Sequence, residues 1–224
     1  MSTQVMNAWT MLLATDAPAL PSAWLMQMGL QLSWSVVLAW LGGVLAVRWT
    51  ANKPVQAGVA LTFAAWAWLP GSYSSSYWLG LAFQTPSVTA VLVCAALLRV
   101  HWLSPSKPLL SAVPAGTTLA LAGLGVILGW ALLLDTLALL PLQMYAWGFS
   151  PAAPALAMLV VMLPWVWFRA APVNHAVPWL APVAIIVFVT LRLPSGNLWD
   201  AILDPWLWLA LQWLVLRRFW FCYK

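Results

Sequence analysis

Asp135 interrupts the apolar run "LLLDTLALL" at residues 132–140, in a chain with only four acidic side chains. A carboxylate inside a membrane helix is costly, is usually paired, and often carries a proton or a cation. Asp135 is predicted about five residues from the outer end of its helix, roughly 7–8 Å along the axis. Its side chain is too short to reach the interface as Lys or Arg would. It therefore needs a partner or a water-filled pocket.

Arg192 is the base predicted to complement Asp135, because it falls at the outer end of the sixth predicted helix. We expect an ion pair between the fourth and sixth helices, with Asp200 and Asp204, four residues apart and on one helix face, beside it. Two interpretations stay open: a salt bridge that fixes helix register, or a proton or cation site with Arg192 as counter-charge. Contact with a partner protein is a third.

A polar stripe is predicted on the first helix. Gln27, Gln31 and Ser35 recur every four residues and so share one face, with Trp34 beside them. Such a stripe in a membrane helix either forms hydrogen bonds between helices or lines a cavity.

The inventory for catalysis is thin. The chain has two His and two Cys, and they are not spaced as metal ligands. No nucleophile-elbow, zinc-protease or phosphate-loop motif occurs. We therefore predict no catalytic residue, no metal site and no cofactor, and we do not expect an enzyme.

Composition indicates which solvent surrounds the elements that hold these residues. Hydrophobic residues make up 64% of the 224 residues, charged residues 6%, and the mean hydropathy is +0.92. A soluble domain is about one quarter charged, so this chain is predicted to lie in a lipid bilayer. Its apolar runs are continuous rather than alternating, which predicts helices and not a barrel. The net charge is +5, but the basic residues are spread along the chain at the ends of apolar runs. They do not form a patch that could follow a phosphate backbone, which disfavours nucleic acid as a partner.

The predicted fold is an all-α integral membrane bundle of about seven helices. Residues 1–23 form an outer tail with a possible interfacial helix over 6–14, residues 24–217 the bundle, and residues 218–224 a cytoplasmic tail. With the N-terminus outside, eight of the nine Lys and Arg fall inside, as the positive-inside rule requires. Several spans are short for a bilayer, so a six-span or re-entrant variant stays possible. The predicted spans are 24–47, 55–69, 79–100, 115–140, 154–168, 177–191 and 198–216.

A weak internal pattern recurs along the chain. Segments rich in Pro or aromatic residues, such as "YAWGFSPAAP" and "LWDAILDPW", precede the spans that run inward. Those spans end in Arg near Trp, as in "RVHW" and "RRFW". Repeated hairpins would explain this, and so would the general preference of Arg and Trp for the interface.

Function follows from these features only as a class. The 19 Trp, the scarcity of charge and the short loops favour a non-catalytic subunit or scaffold of a larger complex in the cytoplasmic (inner) membrane, of bacterial type. Its partners would be the lipid bilayer and other membrane subunits or further copies of itself. The alternative is a small proton- or cation-coupled transporter that uses Asp135.

Overall fold

The computed structural model describes residues 10–12, 14–15, 18–103, 115–140, 142–167 and 179–222. This part of the chain is all-helical and contains no β-strand. Its helices are α1 (Ala23–Val47), α2 (Lys53–Trp66), α3 (Ser75–Phe83), α4 (Val88–Leu103), α5 (Ala115–Thr136), α6 (Met144–Trp147), α7 (Ala153–Trp167), α8 (Leu180–Leu191), α9 (Leu198–Ile202) and α10 (Pro205–Cys222).

Two described helices are long and apolar enough to cross a membrane, namely Ala23–Val47 and the Thr118–Thr136 part of α5. Three further apolar helices, α4, α7 and α8, have 16, 15 and 12 residues. At 1.5 Å per residue they are about 18–24 Å long, against a hydrocarbon core of about 30 Å. Within the described residues, length and apolar composition together identify two helices that could cross a membrane, and the seven crossings expected are not confirmed.

Two predicted spans are each divided in the structure. The span expected over 79–100 consists of α3 and α4, separated by residues 84–87, where Gln84 has a φ of 62°. The span expected over 198–216 consists of α9 and α10, separated by Leu203 and Asp204. Pro86 lies within the first break and Pro205 directly follows the second. Proline disfavours helical backbone in the residue before it, which favours a break at both places.

Other boundaries moved less. The helix expected over 115–140 ends at Thr136, and α10 continues through the predicted tail to Cys222. Of the expected interfacial helix over 6–14, residues 10–12 are helical, and 6–9 and 13 lie outside the described residues.

Helix α1 packs along α2 through small residues and one hydrogen bond. A Cβ at Gly42 would lie 3.0 Å from Phe63, so glycine permits this close approach. Midway along α1, the Ser35 hydroxyl donates to the Ala64 carbonyl at 2.9 Å. A small core of Trp34, Leu38 and Ala67 then forms beside α3. The C-terminal end of α2 is thus held against the middle of α1.

A second core joins α7, α8 and α9. Ala153, Ile185, Phe188, Leu198 and Ala201 are all buried there, and Val88 of α4 packs against them. Helix α5 packs instead on α10, where Trp208 and Leu211 lie against glycines of α5.

A local structure recurs where α1, α4, α7 and α10 begin. A side-chain oxygen accepts a hydrogen bond from the backbone N–H three residues on, which satisfies a donor that the first turn of a helix leaves free. A proline lies next to each accepting residue, and α3, α6 and α9 immediately precede α4, α7 and α10. The repeated sequence pattern therefore corresponds to a repeated helix start. The four pairs are Ser22 with Leu25, Ser87 with Ala90, Ser150 with Ala153, and Asp204 with Leu207.

Candidate functional site

Asp135 lies in the last turn of α5, one residue before its end at Thr136 rather than about five, and its partner is a backbone group. Its carboxylate accepts a hydrogen bond from the backbone N–H of Tyr145 at 2.8 Å. Tyr145 is the second residue of the short helix α6. The bond therefore ties the end of α5 to the helix start that follows it.

Tyr145 also contacts a second acid through its side chain. Its hydroxyl donates to the carboxylate of Asp200 at 3.0 and 3.2 Å, and the Ser195 hydroxyl donates to the same carboxylate. Burial, and after it the negative charge of Asp200, together raise the pKa of Tyr145 to about 12. Tyr145 thus joins Asp135 and Asp200 in one arrangement, with its phenol protonated and donating.

Asn197 completes this arrangement, which we call the polar junction (Asp135, Tyr145, Ser195, Asn197 and Asp200). Asn197 is fully buried. Its side-chain amide donates to the Tyr145 carbonyl at 3.0 Å, and its side-chain oxygen accepts from the Trp199 N–H at 2.9 Å. The side-chain amide and the side-chain oxygen of Asn197 are therefore both hydrogen-bonded. These bonds hold the 193–200 segment against α6.

Residues beside the polar junction add further hydrogen bonds between the 193–200 segment and the region of α6. The indole of Trp199 donates to the Met144 carbonyl at 2.8 Å, and the Leu198 N–H donates to the Gly148 carbonyl at 3.0 Å. A Cβ at Gly148 would overlap the side-chain oxygen of Asn197, so this close approach requires glycine.

Arg192 does not join the polar junction. Within the described residues, its guanidinium and the Asp135 carboxylate are not seen paired. The guanidinium lies 5.2 Å from the centre of the Phe188 ring, and Arg192 itself ends α8 in the left-handed conformation, with a φ of 57°. The ion pair expected between α5 and α8 is therefore not what holds Asp135. Whether Asp135 exchanges a proton or a cation stays a prediction.

Asp204 has partners different from those of Asp200. It accepts from both the backbone N–H and the hydroxyl of Ser87, each at 2.8 Å, and from the backbone N–H of Leu207 at 2.8 Å. The expected shared face of Asp200 and Asp204 is wrong, because α9 ends at Ile202 and Leu203 is extended. Asp204 instead bridges the N-terminal ends of α4 and α10, where the helix dipoles favour a negative charge.

The polar stripe on α1 is divided between two environments. Trp34 donates its indole N–H to the Gln84 carbonyl at 3.0 Å, and Ser35 bonds Ala64. Both are hydrogen bonds between separate elements, as one of the two interpretations requires. Gln27 is exposed and Gln31 is half-buried, and no hydrogen bond of either is seen in the described ranges.

Sequence reasoning missed Tyr145, Ser195 and Asn197. The turn residues "PSGN" immediately before α9 were the available signal, because Asn favours the position that caps a helix.

In the described part of the chain, no group of three or more His, Cys, Asp or Glu side chains could hold a metal ion. The hydrogen bonds of the polar junction hold the end of α5, α6 and α9 together.

No protein family model, curated protein or solved structure matches this chain.

Proposed function

We propose that the protein is a non-catalytic subunit of a larger complex in a bacterial cytoplasmic membrane. It would cross the bilayer seven times, through α1, α2, α4, α5, α7, α8 and α10, with the N-terminus outside. The placement of basic residues supports this topology, since Arg48 and Lys53 lie at helix ends assigned to the inside, and Arg99 and Arg217 lie within the last two turns of their helices. The shorter helices would need local thinning of the bilayer.

An apolar stripe on α10 carries the proposal. Leu209, Trp213, Leu216 and Trp220 are all exposed, at 52, 68, 62 and 74%. Their spacing of four, three and four residues places them on one helix face. The same spacing forms the contact seam of paired helices, in which each side chain fits between residues of the partner.

Trp213 is the member of the stripe least suited to lipid. It lies midway along α10, whereas Trp facing lipid favours the headgroup level, where its N–H finds an acceptor. No acceptor for its indole N–H is seen among the residues that the structure describes. A partner helix would bury the ring and could supply an acceptor, which is how Trp commonly stabilises interfaces.

The interior polar groups support the same proposal. Trp34, Ser35 and Asp204 are each bonded to backbone groups of another helix or its flanking segment. Groups used in this way hold helices in position and are not free to bind a permeating solute. The transporter alternative would need Asp135 and Gln31 to line one cavity, and the observed contact of Asp135 leads to α6 instead.

Co-purification from the native membrane tests the proposal. The tagged protein is extracted into nanodiscs, its partners are identified by mass spectrometry, and an absorption spectrum of the same sample reveals any coloured cofactor carried by them. We expect a stoichiometric partner that is lost in Trp213→Ala and retained in Trp24→Ala, a matched control because Trp24 is 66% exposed at the start of α1. A clean, colourless monomer or homo-oligomer would overturn the proposal and bring transport forward.

A further inference from the structure

Four side chains meet where α2 begins and α4 ends. We call them the basic corner: Lys53, Gln56, His101 and Trp102. The Lys53 ammonium lies 3.3 Å from Nε2 of His101 and 5.5 Å from the centre of the Trp102 ring. Nε2 of His101 also lies 3.1 Å from Oε1 of Gln56. Two basic side chains thus touch each other beside an aromatic ring.

The hydrogen bonds of Gln56 and His101 leave N–H groups of the Lys53 ammonium without an acceptor. Gln56 is 3% exposed, and its amide NH₂ donates to the Thr50 carbonyl at 2.7 Å. That bond fixes the amide, so Oε1 is the atom that faces His101. Nε2 must then carry a hydrogen to donate to Oε1, and it cannot also accept from Lys53.

The ammonium of Lys53 is therefore left without an acceptor at this corner. It is exposed, it has three donors, and no carboxylate contact is seen for it in the described ranges. The described acids, Asp135, Asp200 and Asp204, are engaged elsewhere. The Trp102 ring face attracts the cation but accepts no conventional hydrogen bond. An anion would satisfy the free donors.

We propose that the basic corner binds the phosphate of an anionic phospholipid headgroup, through the Lys53 ammonium beside Trp102. This inference rests on the membrane placement in the proposed function but not on the partner complex. Basic pockets between membrane helices are suited to such headgroups, and Lys binds phosphate as a point charge. Arg48 and Arg99 are exposed on the flanking helix ends and add positive charge.

The apolar surface beside the corner favours a lipid over free phosphate. Trp49, four residues before α2, is 84% exposed, and Val55, in the first turn of α2, is 48% exposed. Both would contact the glycerol and upper acyl region of a lipid whose phosphate lies at Lys53. A soluble phosphate would leave these side chains in water.

Native mass spectrometry of the delipidated protein, titrated with phosphatidylglycerol, tests the inference. We expect Lys53→Gln to weaken retention of the first bound lipid about fivefold, the effect of one Lys near an anionic headgroup. Lys53→Arg should restore retention. Arg218→Gln, which removes one exposed positive charge from the inner end of α10, should leave retention unchanged.

Three results would overturn the inference. Equal retention by the parent and Lys53→Gln would remove Lys53 from the site, and equal loss in Arg218→Gln would reduce the effect to net charge. Displacement of the lipid by inorganic phosphate at the same concentration would identify free phosphate as the ligand. Phosphatidylcholine is titrated in parallel onto the parent protein. Its retention should be no stronger than the retention of phosphatidylglycerol by Lys53→Gln. The partner complex is read separately by co-purification with Trp213→Ala, so the two proposals can fail independently.

Discussion

Asp204 accepts two hydrogen bonds from Ser87, one from its backbone N–H and one from its hydroxyl, both at 2.8 Å. The two residues are 117 positions apart, so the contact joins the starts of α4 and α10. Ser87 in turn accepts from the Ala90 N–H at 3.1 Å. One carboxylate thereby organises the beginnings of two helices.

Replacing Asp204 should loosen both helix starts. Asp204→Ala removes three accepted hydrogen bonds, and we expect a loss of about 2–4 kcal/mol in the free energy of unfolding, from a lost cap and lost charge-assisted bonds. Asp204→Asn keeps one acceptor oxygen and should lose less. Reversible unfolding in mixed micelles measures both. Equal stability of Asp204→Ala and the parent would show that the bridge contributes nothing.

Two glycines of α5 form a matched pair for testing its packing on α10. A Cβ at Gly129 would overlap the ring of Trp208, whereas a Cβ at Gly123 meets nothing within 4 Å. The Trp208 ring cannot move freely, since its N–H donates to the Val126 carbonyl at 3.3 Å.

We therefore expect Gly129→Ala to destabilise the protein by about 1–3 kcal/mol through overpacking. Gly123→Ala should be neutral or stabilising by up to about 1 kcal/mol, from its higher helix propensity. Thermal unfolding of the two variants side by side decides the matter. If both behave alike, α5 does not pack on α10 through Gly129.

The apolar runs were sufficient to predict several helices. The span predicted over 24–47 corresponds to α1 (Ala23–Val47), and the span predicted over 154–168 corresponds to α7 (Ala153–Trp167). Long apolar stretches without strong turn signals specify helix reliably. These two elements needed no knowledge of their neighbours.

The divided spans and the partner of Asp135 could not be predicted in the same way. The breaks contain polar and proline residues, "QTPS" at 84–87 and "LDP" at 203–205, but the contact between Ser87 and Asp204 that stabilises them joins segments far apart in the sequence. Asp135 was matched with Arg192 because both were exceptions among the charged side chains. Its observed partner is a backbone N–H, which every residue except proline carries and which a side-chain inventory does not reveal.

The raised pKa of Tyr145 predicts a specific alkaline effect. Its ordinary value is 10.0 and its folded value about 12, so the folded state holds this proton more tightly than the unfolded state. The associated stability is complete below pH 10 and is lost as the pH rises through 12. Because Tyr145 is partly exposed, solvent screening keeps the effect small.

Tyr145→Phe should therefore flatten the loss of stability between pH 10 and 12, measured as the midpoint of unfolding against pH. Tyr73→Phe is the control, since Tyr73 is exposed and its side chain shows no hydrogen bond among the described residues. An unchanged alkaline slope in Tyr145→Phe would show that its hydroxyl is not held by Asp200.

Asp135 separates the structural account from the transport alternative. Asp135→Asn retains an oxygen that can accept from the Tyr145 N–H, so we expect a loss of no more than about 1–2 kcal/mol, while Asp135→Leu should lose more because it offers no acceptor to that N–H. Both variants should keep the partner complex. A proton flux in proteoliposomes that Asp135→Asn abolishes, with folding intact, would instead establish Asp135 as a transport site.

The most direct test of the proposed function is photo-crosslinking in native membranes with a photoreactive amino acid in place of Trp213. We predict an adduct with one membrane protein at a single mass, formed from position 213 and not from position 61, where Leu61 of α2 is 70% exposed. Adducts with lipid alone at both positions would contradict the account, because Trp213 would then face the bilayer with no partner helix against α10.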